Sequence, residues 1–204
     1  MNIIQPSFQL EPIDGPAMLR RVEAAGRVCY KSEDRITEGS AERFVRMIVK
    51  SGHESVLEHE KITAKVICDR GVTHEIVRHR IASYSQESTR YCNYAGEKFG
   101  SELTFVKPCF WEEGSPLYSL WLEQMACAEK SYLALLQQGA KPEEARAVLP
   151  NSLKTELVMT MDLREWRHFF RLRTSAASHP QMRELACAML EGFREILPVV
   201  FETL

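Results

Sequence analysis

From Asp14 onward, hydrophobic positions recur every three or four residues. Met18, Leu19, Val22 and Ala25 fall on one face of a helix that Asp14 and Pro16 open. Phe44, Val45 and Ile48 repeat the spacing in a second helix, stopped at Gly52. The period then drops to two: Ile62, Ala64, Val66 and Cys68 alternate with Lys61, Thr63 and Lys65, the pattern of a strand with one buried face. A short segment around Ile76 leads on into polar sequence. Residues 103–107 (LTFVK) predict another strand. From Pro116 to Gln138, a long helix places Leu117, Leu120, Trp121, Gln124, Met125, Ala128, Tyr132, Leu135 and Leu136 largely on one stripe, ended by Gly139. Pro142, Glu143 and Glu144 start a brief helix through Arg146 that Pro150 halts. Residues 153–161 (LKTELVMTM) read as a strand. Asp162 then caps the next helix, with Glu165 three residues on in a near capping box. A final helix from near Pro180 buries Met182, Leu185, Met189, Phe193 and Ile196. Strands interleaved with helices predict an α/β or α+β fold, a mixed sheet flanked by helices. With no repeat and no linker, the chain is expected to be one domain, 1–204.

Composition narrows the classes. With 28 acidic against 26 basic residues the net charge is −2, which does not favour a nucleic-acid polymer or an acidic membrane surface as partner. The six cysteines are scattered without a C-x-x-C pair, so neither a zinc site nor a disulfide framework is expected, and they read as reduced cytosolic thiols. The N-terminal MNIIQPSFQL lacks a charged region followed by an apolar one, and no apolar run approaches the ~18 residues of a membrane span. A cytoplasmic protein is the expectation.

Against this background residues 78–91 (RHRIASYSQESTRY) reverse the local charge: three arginines face one acid, Glu87. Arginine forks and serine hydroxyls suit phosphate oxygens, and an extended backbone would point Ser88 and Arg90 to the same side. A solvated basic loop would have the same composition. In the helix after Asp162, Trp166, Phe169, Phe170 and Arg173 occupy i, i+3, i+4 and i+7, which puts an arginine on an aromatic stripe. Arg173 either snorkels toward the helix C-terminus or aims a guanidinium into a dry pocket. His53 to His59 (HESVLEH) is not H-E-x-x-H and reads as a polar loop rather than a metal site. Spacing assigns Arg146, His168 and Asp162 nothing beyond surface charge, polar face and helix cap. No base is identified for Cys92, and no Walker or Rossmann glycine loop is present.

Arg78-His79-Arg80, seven residues, then Ser88 resembles the R-H-R-x7-S signature of the flavin-dependent thymidylate synthases. HESVLEH (53–59), ARAVLP (145–150) and LREWRHFFRLR (163–173) resemble three further blocks of that family, in order along the chain. The resemblance implies the family's α/β fold and the reductive methylation of dUMP to dTMP. Methylenetetrahydrofolate would be the carbon donor, NADPH the reductant and FAD the cofactor, in a homotetramer with shared active sites. By position, Ser55, Arg78, His79, Arg80, Gln86, Asp162, Leu163 and Arg164 would contact FAD, with His168 nearby. Glu75, Ile76, Val77 and Arg78, with Gln86, Glu87, Ser88, Thr89 and Arg90, would cradle dUMP, and Arg146 would reach in from another subunit. Arg173 would lie at the uracil ring and polarise it. Glu75, Gln86 and Asp162 depart from the Gln, Glu and Asn of the family pattern, and they motivate the alternative of a nucleotide- or flavin-binding protein without methyl transfer. A small RNA-binding module using residues 78–94 is a third reading, against which the acidic net charge counts.

Overall fold

The computed structural model describes residues 1–96 and 99–204. Its strands are β1 (Asn2–Ile4), β2 (Ser7–Leu10), β3 (Lys61–Asp69), β4 (Ser83–Gln86), β5 (Thr104–Val106) and β6 (Lys154–Asp162). Its α-helices are α1 (Gly15–Tyr30), α2 (Ser40–Lys50), α3 (Arg70–Ile76), α4 (Pro116–Gln137), α5 (Pro142–Ala145), α6 (Leu163–Arg173), α7 (Pro180–Ile196) and α8 (Pro198–Phe201). The fold is mixed α/β, with two sheets where the sequence predicts one: parallel β1-β5, and a four-stranded sheet of order β2-β3-β6-β4. The N-terminal strands went unpredicted because Pro6 divides them into pieces too short to show a period. By contact the chain forms two compact units, one of residues 1–7, 66–78 and 85–158, the other of residues 8–65, 79–84 and 159–204.

In the first unit, Ile3 pairs with Phe105 in the β1-β5 ladder, and a core of Leu103, Phe105, Trp121, Met125, Tyr132 and Leu153 fills in around it. The Trp121 indole donates to Ser152 Oγ at 3.1 Å, so burial leaves no polar atom of that ring unpaired. Ser115 Oγ accepts from the Tyr118 N–H at the start of α4, and Gly139 takes the positive φ of 92° needed just past its end. The predicted α4 stripe is only partly buried. Trp121, Met125 and Tyr132 face the core, whereas Leu117 and Leu120 are each 57% exposed, because the helix carries more apolar surface than this unit covers. Around Ile76 the chain forms α3, where no element was assigned; the Asp69 carboxylate caps it by accepting from the Val72 N–H at 2.8 Å.

The second unit stacks helices. Asp14 caps α1, accepting from the Ala17 N–H at 2.9 Å. α1 lies so close to α2 that a Cβ on Gly26 would stand 2.5 Å from the Phe44 ring. Trp166, Phe169 and Phe170 of α6 are fully buried, with the Trp166 ring 4.6 Å from that of Phe193 on α7 and its indole donating to the Ile62 carbonyl. α7 buries Met182, Leu185, Met189 and Phe193 as expected, but Ile196 is only half-buried at its end.

Candidate functional site

The sequence-predicted residues divide between the two units, and each unit forms one grouping. In the second unit, Asp162 Oδ1 accepts from the Glu165 N–H at 2.8 Å, starting α6 as its spacing predicts. The capping box does not close: the Glu165 carboxylate turns to His79, with Oε1 3.2 Å from Nδ1. At the far end of α6, Arg173 Nε donates to His79 Nε2 at 3.0 Å. A guanidinium N–H only donates, so Nε2 must carry the lone pair and Nδ1 the proton given to Glu165. One tautomer of His79 is thereby fixed. Burial, and after it the neighbouring Arg173 charge, pull the His79 pKa down to about 4, which keeps the ring neutral. Burial pushes the Glu165 carboxyl above the usual range.

Further contacts hold this imidazole. Its ring lies 5.0 Å from Phe169 and 5.6 Å from exposed His168, both edge-on. The Tyr84 hydroxyl donates to the His79 carbonyl at 2.7 Å, and burial raises its pKa to about 12, so it remains a donor at neutral pH. Arg173 is thus neither simply snorkelled nor sunk among the aromatics: it is half-buried and anchored through Nε. His79, Glu165 and His168 also form a group of potential metal-binding atoms within 4.8 Å of one another. With Arg173 on Nε2 and Glu165 on Nδ1, both nitrogens of the His79 ring are already engaged.

Beside this group, a cleft of about 480 Å³ is lined by Glu54, Glu58, Ile81, Asp162, Arg164, Glu165, His168 and Arg171. Residues 54–59 form a 3-10 helix rather than the expected irregular loop. Its carboxylates hold the cleft's arginines: Glu54 binds Arg171 and buried Arg167, and Glu58 binds Arg164. Burial disfavours the charge on Glu54, but Arg171 and Arg167 outweigh it and keep its pKa below the usual value. His53 Nδ1 lies 3.1 Å from the Tyr30 hydroxyl, a hydrogen-bonding histidine as expected. Ser55 and Arg80 are exposed, whereas Leu163 is fully buried and its N–H is taken by the Glu60 carbonyl.

In the first unit the segment after β4 is a turn, not the extended backbone that the Ser88 and Arg90 spacing presumed. The Ser88 carbonyl accepts from the Tyr91 and Cys92 N–H groups, and its hydroxyl accepts from the Arg90 N–H at 3.3 Å. Arg90 reaches Glu143 on α5 at 3.2 Å, and Arg146 Nη1 donates to buried Thr89 at 3.4 Å. Glu87 does not answer the arginines: it binds Lys154 and the Tyr94 hydroxyl, which makes it part of the unit's interior. Gln86 donates to Thr73 and Thr155. Ile76 is fully buried, Glu75 is half-buried, and Val77 and Arg78 are exposed at the end of α3.

Sequence reasoning missed Tyr84 and Glu54, and it gave Glu165 a capping role only. The available signal for Glu165 was its place three residues before His168, on the α6 face that also carries Asp162. Nothing local pointed to Tyr84, which acts through a backbone carbonyl.

Arginines, hydroxyls and imidazoles on a mixed α/β scaffold are donor chemistry of the kind that suits phosphate oxygens. Residues 14–199 match the family model described as thymidylate synthase complementing protein. The chain is 41% identical over 198 residues to the flavin-dependent thymidylate synthase of Pyrococcus furiosus, covering 95% of this chain and 80% of that one. It is 34% identical over 187 residues to the enzyme of the same name from Geobacter sulfurreducens, covering 88% and 79%. Among solved structures, the UMP/dUMP methylase PolB from Streptomyces cacaoi, bound with 5-Br dUMP, superposes with a TM-score of 0.79 at 27% identity, covering 99% of this chain and 96% of that one. The chain belongs to the flavin-dependent thymidylate synthase family.

Proposed function

We propose that this chain is itself a flavin-dependent thymidylate synthase. It converts dUMP to dTMP with a one-carbon unit from methylenetetrahydrofolate and with FAD reduced by NADPH. The observation that carries the reading is Arg173, the arginine of the family's last block, held through Nε by the central histidine of the R-H-R block. Two blocks 94 residues apart in sequence thus share one hydrogen bond.

The donor set fits a phosphorylated flavin. Arg164, Arg171 and His168 bring side-chain donors to the 480 Å³ cleft, where they stand beside the carboxylates of Glu54, Glu58, Asp162 and Glu165, and Ser55, His79, Arg80 and Leu163 belong to the same unit. These residues would hold the cofactor. When bound, the group supplies hydride chemistry. The chain's own residues bind, orient and polarise. Ser88, Thr89, Arg90 and Arg146 would take the dUMP phosphate, and the stretch from Glu75 to Arg78 would border the nucleotide. Arg173 would stabilise negative charge developing on the uracil, which makes its C5 a better nucleophile. His79 would fix the plane of that guanidinium, and Glu165 would fix His79.

We place the protein in the cytoplasm as a homotetramer with shared active sites, acting as one domain over 1–204. Its six cysteines are all free thiols, which supports a reducing compartment. No helix among the described residues is long and apolar enough to cross a membrane. β3 and β6 each run on from one unit into the other, which supports the single-domain reading.

The test is tritium release from dUMP labelled at C5, with purified protein, FAD, NADPH and methylenetetrahydrofolate. Folate-dependent release together with dTMP is expected. A flavin-loaded protein that releases none would overturn the synthase reading in favour of a nucleotide-binding protein. The Gln86 amide, bonded to Thr73 and Thr155 where the family pattern has an acid, would then be the first residue to examine.

A further inference from the structure

The outward face of α4 has no part in the site, yet it is patterned. Leu117, Leu120, Gln124, Cys127, Ser131 and Ala134 recur at alternating steps of three and four, the seam spacing of paired helices. Leu117, Leu120, Gln124 and Cys127 are exposed, and Ser131 and Ala134 are half-buried. The two charges that flank this seam, Glu123 and Lys130, lie seven residues apart, so they stand one above the other on the same side. Both are exposed, and neither pairs with another described residue.

We infer that α4 pairs antiparallel with α4 of a second copy of this chain about a two-fold axis, narrowing to one face the self-association proposed above, on which this inference rests. One register satisfies the pattern. With Gln124 opposite Cys127 of the second copy, Leu120 meets Ser131 and Leu117 meets Ala134, each leucine against a small residue. In that same register Glu123 faces Lys130 and Lys130 faces Glu123, because seam and flank positions in antiparallel pairs are offset by a fixed two residues. A parallel pair brings neither charge against the other. The small seam residues allow close backbone approach, and the helix is about 33 Å long, so several turns engage at once. The exposed leucines, unexplained by the core of their own unit, are then covered.

The experiment measures assembly size of the full chain by sedimentation and native mass spectrometry, without reference to activity. Lys130→Glu should weaken association about tenfold to a hundredfold by setting like charges opposite each other twice. Adding Glu123→Lys should restore it, since the swapped pair is again complementary. In a chain whose other exposed cysteines, Cys29, Cys109 and Cys187, are serine, a short bismaleimide should link two copies through Cys127. Adding Cys127→Ser should abolish the link. Assembly indifferent to Lys130→Glu, a weakened variant that the second change fails to restore, or absence of the Cys127 link would each overturn this face. A monomeric wild type would remove the self-association reading as well, whereas the dUMP assay bears on neither.

Discussion

His79 sits at the centre of a line of three side chains, and each neighbour fixes a different property of it. Arg173 sets the tautomer, Glu165 receives the proton, and burial removes the charge. An unfolded histidine takes up its proton near 6.5 and this one near 4, so between those values the unfolded chain binds more protons. Stability contributed by His79 is therefore complete above 6.5 and is lost as pH falls toward 4, by at most about 3 kcal/mol. Urea midpoints across that range should fall less steeply for His79→Asn than for the wild type, and equal slopes would contradict the depressed value. Arg173→Ala should keep bound flavin, followed by its visible absorbance, while losing a hundredfold or so in turnover, as when one preorganised donor is removed. Near-normal turnover would exclude Arg173 from charge stabilisation.

At the scale of elements, the start of α6 bears on both stability and the site. Asp162 accepts the Glu165 N–H, a bond that Asn makes equally well. Asp162→Asn should thus leave the melting temperature nearly unchanged, whereas Asp162→Ala should cost about 1 kcal/mol and lower it by a few degrees. Gly26 marks the closest approach of α1 and α2. Gly26→Ala would drive a methyl into the Phe44 ring and should destabilise by about 1–3 kcal/mol despite alanine's better helix propensity. An unchanged denaturation midpoint would show that the two helices separate easily. These elements were legible because their signals are local: a cap, a period, a terminal glycine. Other features were not. β1 and β2 are too short to show a period, α3 shows its apolar side only once folded, and the α4 stripe gave no hint that half of it would remain uncovered.

On the scale of the whole molecule, the sequence resemblance named candidate residues but not their contacts. R-H-R named His79, and the last block named Arg173, but only the fold makes them hydrogen-bonded partners. Glu87, counted with the arginines by proximity in sequence, turned out to serve Lys154 and Tyr94, because a strand end directs side chains by register rather than by charge. If active sites are completed between copies, flavin affinity must depend on protein concentration. Dilution below the assembly threshold should release flavin, seen as a rise in its fluorescence, and full retention by the separated chain would contradict shared sites.

One pattern runs through both groupings. Arg164 rests on Glu58, Arg171 on Glu54 and Arg90 on Glu143 before any ligand arrives. On the proposed reading, a phosphate entering here would displace a carboxylate instead of filling a vacancy in the field, so binding would be an exchange of counter-ions. Salt that weakens the incoming contact weakens the outgoing one too, and the affinity for a small anion should vary little with ionic strength. The same glutamates make the resting surface unattractive to long polyanions, whose every phosphate would have to win such an exchange. A site whose arginines rest on carboxylates in this way would not make the protein a general trap for RNA.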